Sequence, residues 1–385
     1  MKIYIRMIQA LRTAGLAVLL TSASHCMDVE QNPLDTSQGG LSGFLGLIYR
    51  ALTTSSNATS ETTVRLITVG PAGKTYTSTD RLTWTTGTIT PAVDFYSILY
   101  TGTRWIATGG FSDGTTCDIY HSTDAQTWSQ ASHPACTGFL TDVANGGGKL
   151  VAVGRSNAGT PQAMVSNDDG LSWTTLATAG TYRYDFVVYT GSTFMAANNA
   201  QTAALSNTYT SDGSATFAIT TAPQSAAKEN TVSMLYMVGS QIVHVATDPC
   251  CFPPTAVRSV YSINNGSTWT LNAVDIFGGN TANEYPRAII ADSATAPTVL
   301  VAVGDACRVD RTAVIGTLSW SGSLTMNGCS SVNWTGLVHD GTKYVAVGNV
   351  GGVTASVAVS ATGNATDWVI TSLGSNLVNR LGMRP

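Results

Sequence analysis

The stretch SNDDGLSW, residues 166–173, sets two acids, a glycine and a tryptophan close together in a chain where charged residues are only 11%. Globular proteins usually carry about 25%, so adjacent carboxylates at Asp168 and Asp169 need a reason. Either they work on a ligand or they shape the chain. Near-copies decide between these readings: STDRLTW (78–84), STDAQTW (122–128), TSDGSATF (210–217), SINNGSTW (262–269), the degenerate SWSGSLTM (319–326) and SATGNATDW (360–368). They end at Trp84, Trp128, Trp173, Phe217, Trp269, Met326 and Trp368, spaced 44, 45, 44, 52, 57 and 42 residues apart. A catalytic acid would not recur in most repeats, so Asp80, Asp124, Asp168, Asp212 and Asn264 are expected to be structural. Each side chain is suited to accept backbone N–H bonds within a turn. Gly170 supplies a position free to take positive φ.

A second element recurs in phase with the first. RLITVG, RWIATGG, KLVAVGR, FMAANN, IVHVAT, LVAVGD and YVAVGN precede the successive copies, most of them after a glycine-containing turn such as YTGT or HDGT. Alternating apolar runs joined by such turns read as β-hairpins. Each unit then holds strands a, b, c and d, with the Asp stretch between c and d. Four strands in about 45 residues make one propeller blade. Seven copies predict an all-β, seven-bladed propeller over residues 63–385. The first unit lacks strand a, and SNLVNRLGM (375–383) is a spare a strand, so the C-terminal strand is expected to complete the first blade.

The repeated stretch resembles the Asp-box, S-x-D-x-G-x-T-W, of BNR and sialidase-type propellers. The match is strongest at 166–173 and covers most of 63–385. The resemblance places the box at the c–d turn, with Trp84, Trp128, Trp173, Trp269 and Trp368 packing between blades. It also raises glycoside hydrolysis. That activity needs three arginines clamping a carboxylate, a tyrosine–glutamate pair and an acid/base aspartate. The customary Arg-Ile-Pro start is missing, since the chain there reads VRLITVGPAGK. Fold and activity are separable, so no catalytic residues are assigned and the chain is read as a non-enzyme. A sialidase-like glycosidase is the alternative. The chain also resembles the propeller of photosystem II assembly factors, in shape alone.

Before the repeats, Lys2, Arg6 and Arg12 precede the apolar run AGLAVLLT (14–21) and then SASHC. This pattern reads as an export signal over residues 1–25, too short to span a bilayer. Cys26 stands where a lipoprotein carries its lipidated cysteine, and SASHC resembles the relaxed lipobox of spirochaetal lipoproteins. Residues 26–62 read as a lipid-anchored tether with one apolar patch, GFLGLIYRAL (43–52). In an oxidising compartment the other six cysteines are disulfide candidates. Cys117 is placed to staple Cys136, and Cys307 to staple Cys329. Cys250 and Cys251 either pair with each other or stay reduced. No CxxC pair or paired histidine accompanies them, so no metal or cofactor is expected.

The spacing lengthens around blades five and six, where TDPCCFPPTAVR (247–258), DIFGGNTANEYPR (275–287) and GDACRVDRTA (304–313) lie. Insertions mark the working face of a repeat protein. Arg258, Glu284, Tyr285, Arg287, Arg308 and Arg311 are the candidate binding residues. Arginine forks suit anionic groups, though each arginine also has aspartates such as Asp275 or Asp310 close at hand. The net charge of −4 offers no footprint for nucleic acid. The expected role is a monomeric binding module on the outer membrane or cell surface, presenting this face to a protein or glycan. A periplasmic assembly scaffold is the further alternative.

Overall fold

A computed structural model describes residues 63–198, 208–219, 233–238, 241–247, 257–271, 276–279, 285–293, 297–313, 320–322 and 324–385. The signal, the tether, Cys26, Cys250, Cys251 and Glu284 lie outside the described residues. Twenty-eight strands form seven four-stranded antiparallel sheets. Blade one holds β1 (Leu66–Val69), β2 (Lys74–Ser78) and β3 (Thr85–Thr88); blade two holds β4 (Asp94–Tyr100), β5 (Trp105–Gly110), β6 (Cys117–Ser122) and β7 (Ser129–Gln130). Blade three holds β8 (Phe139–Gly146), β9 (Lys149–Arg155), β10 (Pro161–Ser166) and β11 (Thr174–Leu176); blade four holds β12 (Tyr184–Tyr189), β13 (Phe194–Asn198), β14 (Thr208–Ser211) and β15 (Ala218–Ile219). Blade five holds β16 (Ser233–Val238), β17 (Gln241–Thr247), β18 (Val257–Ser262) and β19 (Thr270–Leu271); blade six holds β20 (Pro286–Ala291), β21 (Val299–Gly304), β22 (Arg308–Ala313) and β23 (Leu324–Thr325). Blade seven holds β24 (Val332–His339), β25 (Tyr344–Val350), β26 (Thr354–Ser360) and β27 (Val369–Gly374). β28 (Arg380–Met383) then pairs antiparallel with β1, Leu66 opposite Met383 and Val69 opposite Arg380. The chain is a seven-bladed β-propeller closed by its C-terminal strand, as the repeat pattern predicts.

The Val-Ala-Val runs become the second strand of each blade because they are buried on both faces. In β25, Tyr344 and Ala346 pack with blade six, while Val345 and Val347 pack with Leu66 and Tyr76 of blade one. In β21, Leu300 and Ala302 face blade five and Val301 and Val303 face blade seven. Period-two alternation thus divides one strand between two inter-blade cores.

The two aspartates of the opening stretch do different work. Asp168 accepts hydrogen bonds from Ser172 N (2.9 Å) and Ser166 Oγ (2.8 Å), and Ser166 Oγ also accepts from Gly170 N (2.9 Å). Burial pushes the Asp168 carboxyl up, but bonds from the Ser172 hydroxyl and backbone outweigh it and hold the group below its ordinary value. Trp173 closes the turn, its indole N–H donating to Gly170 O at 3.1 Å. Asp169 sits at φ 61° and reaches back to blade two, where Arg104 Nε donates to it at 2.8 Å. Other junctions carry equivalent contacts. Arg81 pairs with Asp340 across blades one and seven, Lys149 Nζ donates to Asp212 O (3.0 Å), and Asn265 Nδ2 donates to Ser192 Oγ (3.4 Å).

The other copies use the same bonds with small exchanges. Asp80 and Asp124 each accept from two backbone N–H groups. Asp212 does the same and is lowered to about 2, chiefly by the Ser214 hydroxyl. Asn264 takes over the acceptor role, receiving Thr268 N at 2.9 Å. In blade seven the acid comes from the far end of the turn, where Asp367 accepts from Thr362 N at 2.9 Å.

The sixth copy ends elsewhere than expected. Trp320, not Met326, packs into the core shared with the preceding blade, beside Tyr261 and Phe277. Met326 faces blade seven instead. Ser321 is already past the turn, its N–H donating to Arg311 O (3.1 Å) and its hydroxyl to Asp310 (2.7 Å). The aromatic end of the sixth copy is therefore Trp320, six residues before Met326, and the spacing from Trp269 falls from 57 to 51. The long connection after blade five is real, but Ile276 and Phe277 bury within it, and Asp310 accepts from Phe277 N at 2.9 Å.

Replacing Gly170 by alanine is expected to destabilise the protein more than Gly159→Ala. Both have positive φ, 86° and 79°. A Cβ at Gly170 strikes the Ile106 side chain, whereas one at Gly159 meets open space. Urea unfolding should show losses of about 3 and about 1 kcal/mol respectively.

Candidate functional site

The inner strands β4, β8, β12, β16, β20, β24 and β28 surround a central channel. Five of them carry a bulge near the start of the strand, and the extra residues are Tyr96, Thr141, Asp185, Arg287 and Thr335. A bulge re-aims a side chain relative to the sheet pleat. All five line one cavity of about 590 Å³ at the channel mouth, with Arg183, Asp305, Asn333, Asn349, Asn379 and Arg380. The cavity opens on the side of the b–c and d–a connections, opposite the Asp turns.

A sequence signal for the bulges lies in the last glycine of the Val-Ala-Val-Gly runs. A Cβ at Gly109, Gly154, Gly304 or Gly348 would strike the inner-strand carbonyl of Asp94, Phe139, Tyr285 or Asn333. The missing side chain lets the inner strand swing over its neighbour and make the extra half-turn. Reading these glycines only as strand ends misses Tyr96, Thr141 and Thr335, while Asp185 has no such signal because Asn198 stands opposite the start of its bulge.

Charges at the mouth are partly neutralised. Arg287 grips Asp305 with two nitrogens, Nε to Oδ1 at 3.1 Å and Nη2 to Oδ2 at 2.9 Å, and lies 5.4 Å over the Tyr285 ring. Arg183 pairs with Asp185 at 3.0 Å. Arg380 lies 5.3 Å over the Phe186 ring and has no carboxylate ion-pair partner among the described residues. Asn349 is spent on Val378, donating to its carbonyl (2.7 Å) and accepting its N–H (3.0 Å). Asn333 uses only its carbonyl oxygen, accepting Ala306 N at 3.0 Å, which leaves its amide N–H groups to the cavity.

Below the mouth, Asp142 ties three blades together. It accepts from Ser97 Oγ of blade two (2.8 Å) and from Val187 N of blade four (3.0 Å). Burial among the inner strands pushes its carboxyl above the ordinary value, against the pull of Arg380 and these hydrogen bonds. Tyr236 donates to Arg287 O at 2.9 Å, and burial pushes its phenol well up. Asp142 and Tyr236 line a second cavity of about 270 Å³, whose other walls include apolar groups such as Leu235, Ile289 and Leu337.

The predicted arginine patch is not assembled as expected. Arg287 lines the mouth, with Tyr285 beneath it. Arg308 turns along its own sheet and donates to Thr325 Oγ1 at 3.2 Å. Arg311 donates to Asn364 Oδ1 (3.3 Å) in the Asp turn of blade seven, on the opposite side of the ring. It joins blades six and seven instead of facing a ligand beside Arg287. Arg311 stands three positions beyond Arg308 in β22, so the two side chains leave opposite faces of the sheet. Arg258 stands in β18 opposite Ala246. Cys117 is bonded to Cys136, and Cys307 to Cys329. Among the described residues, no three His, Cys, Asp or Glu side chains converge as a metal site would require.

No protein-family model and no curated protein matches the chain. Solved structures do share its fold. YCF48 bound to D1 peptide is similar at 14% identity, covering 75% of this chain and 90% of that one, with a TM-score of 0.53. Apo AztD from Citrobacter koseri is similar at 9% identity over 83% and 97% of the two chains, with a TM-score of 0.51. The nidogen/laminin complex reaches 0.46 at 12% identity, over 70% of this chain and 95% of that one.

The raised Asp142 carboxyl sets a sign for pH dependence. A native value above the unfolded one contributes its full stability below the unfolded value and loses it as pH rises through the native one. Asp142→Asn keeps both bonds, with Oδ1 facing Val187 N and Nδ2 facing Ser97 Oγ. The wild type should therefore lose stability relative to Asp142→Asn between about pH 4 and neutrality, measured by urea unfolding of both proteins across that range.

Proposed function

We propose that this chain is a non-enzymatic interaction module that holds an extended segment of a protein partner at the channel mouth. The observation that carries this reading is the convergence of five bulged residues, Tyr96, Thr141, Asp185, Arg287 and Thr335, on one cavity. Five separate strands each depart from regular pairing at the same level, and the departures furnish one surface. An extended peptide brings unpaired carbonyls and N–H groups, which need partners when water is displaced. The cavity offers donors in Arg380 and the Asn333 amide, an acceptor in Asp185 and an aromatic ring in Tyr96. YCF48, which shares the fold, was solved with a peptide bound. A non-catalytic role is supported by the commitment of Arg183 and Arg287 to their own carboxylates, which leaves no three-arginine clamp at the mouth among the described residues. Export and a lipid anchor at Cys26 would place this mouth in the cell envelope, where a protein partner is met.

The test is selection of a displayed peptide library on the purified full-length protein. Enriched peptides should bind at least about tenfold more weakly to Tyr96→Ala and Arg287→Ala, as expected for residues at the centre of an interface. The same peptides should bind the Arg308→Ala/Arg311→Ala double variant as tightly as wild type. Loss in the double variant with retention in the other two would move the site away from the mouth. Release of sugar from a panel of sialosides would overturn the non-enzymatic reading.

A further inference from the structure

Two disulfides brace corresponding corners of blades two and six, closing 19 and 22 residues. Their surroundings differ. Around Cys307 the polar contacts are backbone groups: Cys307 N donates to Val332 O at 2.7 Å, and Val332 N donates to Cys307 Sγ at 3.3 Å. Cys117 is likewise buried, at 1% exposure, but its partner Cys136 lines a surface groove of about 440 Å³ with Thr115, Thr137, Gln162 and Met164.

A histidine stands beside that groove. His133 Nδ1 lies 2.9 Å from Pro134 O, and Nε2 lies 3.2 Å from Asp118 Oδ1. Both neighbours are acceptors, so a proton on each ring nitrogen satisfies them, and these contacts favour the imidazolium over the neutral ring. Asp118 is held in place by Gln130 Nε2 and Ile119 N, each at 2.9 Å. The Asp118 bond foremost pulls His133 above its ordinary value. His133 Nδ1 is 4.0 Å from Cys136 Sγ. A cation at that distance favours a thiolate over a thiol.

We propose that Cys117–Cys136 is a thiol-exchange site for a dithiol reductant, with Cys136 as the sulfur attacked, Cys117 as the buried resolving cysteine and His133 as the group that favours thiolate at Cys136. A thiolate of the dithiol enters the groove and bonds to Cys136 Sγ. The Cys117–Cys136 bond breaks, and Cys117 leaves with the electron pair and takes up a proton. The second thiol of the reductant, as thiolate, attacks its own sulfur in the mixed disulfide and expels Cys136 beside the imidazolium. The dithiol is oxidised by two electrons to a disulfide, and the cysteine pair is reduced by the same two. The two protons of the reductant balance those gained by the cysteines. Cys307–Cys329, whose described sulfur contact is the Val332 backbone N–H and not an imidazole, remains the permanent brace.

The experiment treats the native full-length protein with limiting dithiothreitol, quenches at intervals, alkylates the new thiols and follows each cysteine peptide separately by mass spectrometry. The Cys117–Cys136 pair should open at least about tenfold faster than Cys307–Cys329. His133→Gln should remove most of that difference. Asp118→Asn, which keeps shape but drops the charge that sustains the imidazolium, should slow opening in the same direction. Equal rates for the two disulfides in the wild type would overturn the proposal. So would a faster Cys117–Cys136 that neither variant slows, because exposure alone would then explain it.

Discussion

A propeller blade cannot bury itself. Each is a twisted four-stranded sheet with two apolar faces, and the strands of one blade supply no cover for either face. Strand β21 shows the constraint at single-residue resolution, with alternate side chains belonging to different cores. Cover comes from the blades on either side, so the ring must close or leave a face wet. Pairing of β28 with β1 meets that demand, and Asn379 N donating to Val69 O (2.7 Å) extends the seam. The contacts between Asp turns and neighbouring blades then set the angular position of one blade on the next. Each is small on its own, since exposed ion pairs contribute little. Their role is placement, while the buried cores supply the stability.

The fold was legible because its signals are local. Turn chemistry at Asp168 and Gly170 and the alternation of each Val-Ala-Val run act within a few residues, so a single sequence displays them. The sixth copy was misread at the one place where local chemistry had faded. No acid marks that turn, and LTM at 324–326 and LSW at 318–320 compete as the closing triplet. Only the core decides, because the indole of Trp320 fills the space beside Phe277. The candidate site was less legible. Arginines were grouped by nearness of their loops along the chain. Direction along β22 separates Arg308 from Arg311, and a loop sequence does not record that direction. The mouth residues come from six different blades, and nothing in the neighbourhood of Tyr96 announces Arg287.

The glycines that end the second strands connect fold to site. Gly109, Gly154, Gly304 and Gly348 admit an inner-strand carbonyl where any side chain would block it. That close approach accompanies the bulges, and the bulges turn Tyr96, Thr141, Arg287 and Thr335 into the mouth. A feature that looks like strand punctuation therefore helps determine which side chains line the mouth. Substitution there would act on binding through backbone geometry, without touching any group in contact with a partner.

The two sides of the ring differ in what they leave available. On the Asp-turn side, carboxylates and hydroxyls are committed: Asp168 and Asp212 to their own turns, Asp169 to Arg104, and Arg311 to Asn364. Groups already satisfied by the protein gain little from a ligand, because a new bond must replace an old one. At the mouth, Arg380 and the Asn333 amide line the cavity with no hydrogen-bond acceptor among the described residues. The acid-rich stretch that first draws the eye is thus the part least able to bind. The groups still open to a new bond lie on the quieter side, where strand irregularity has turned a few polar side chains away from their own sheets.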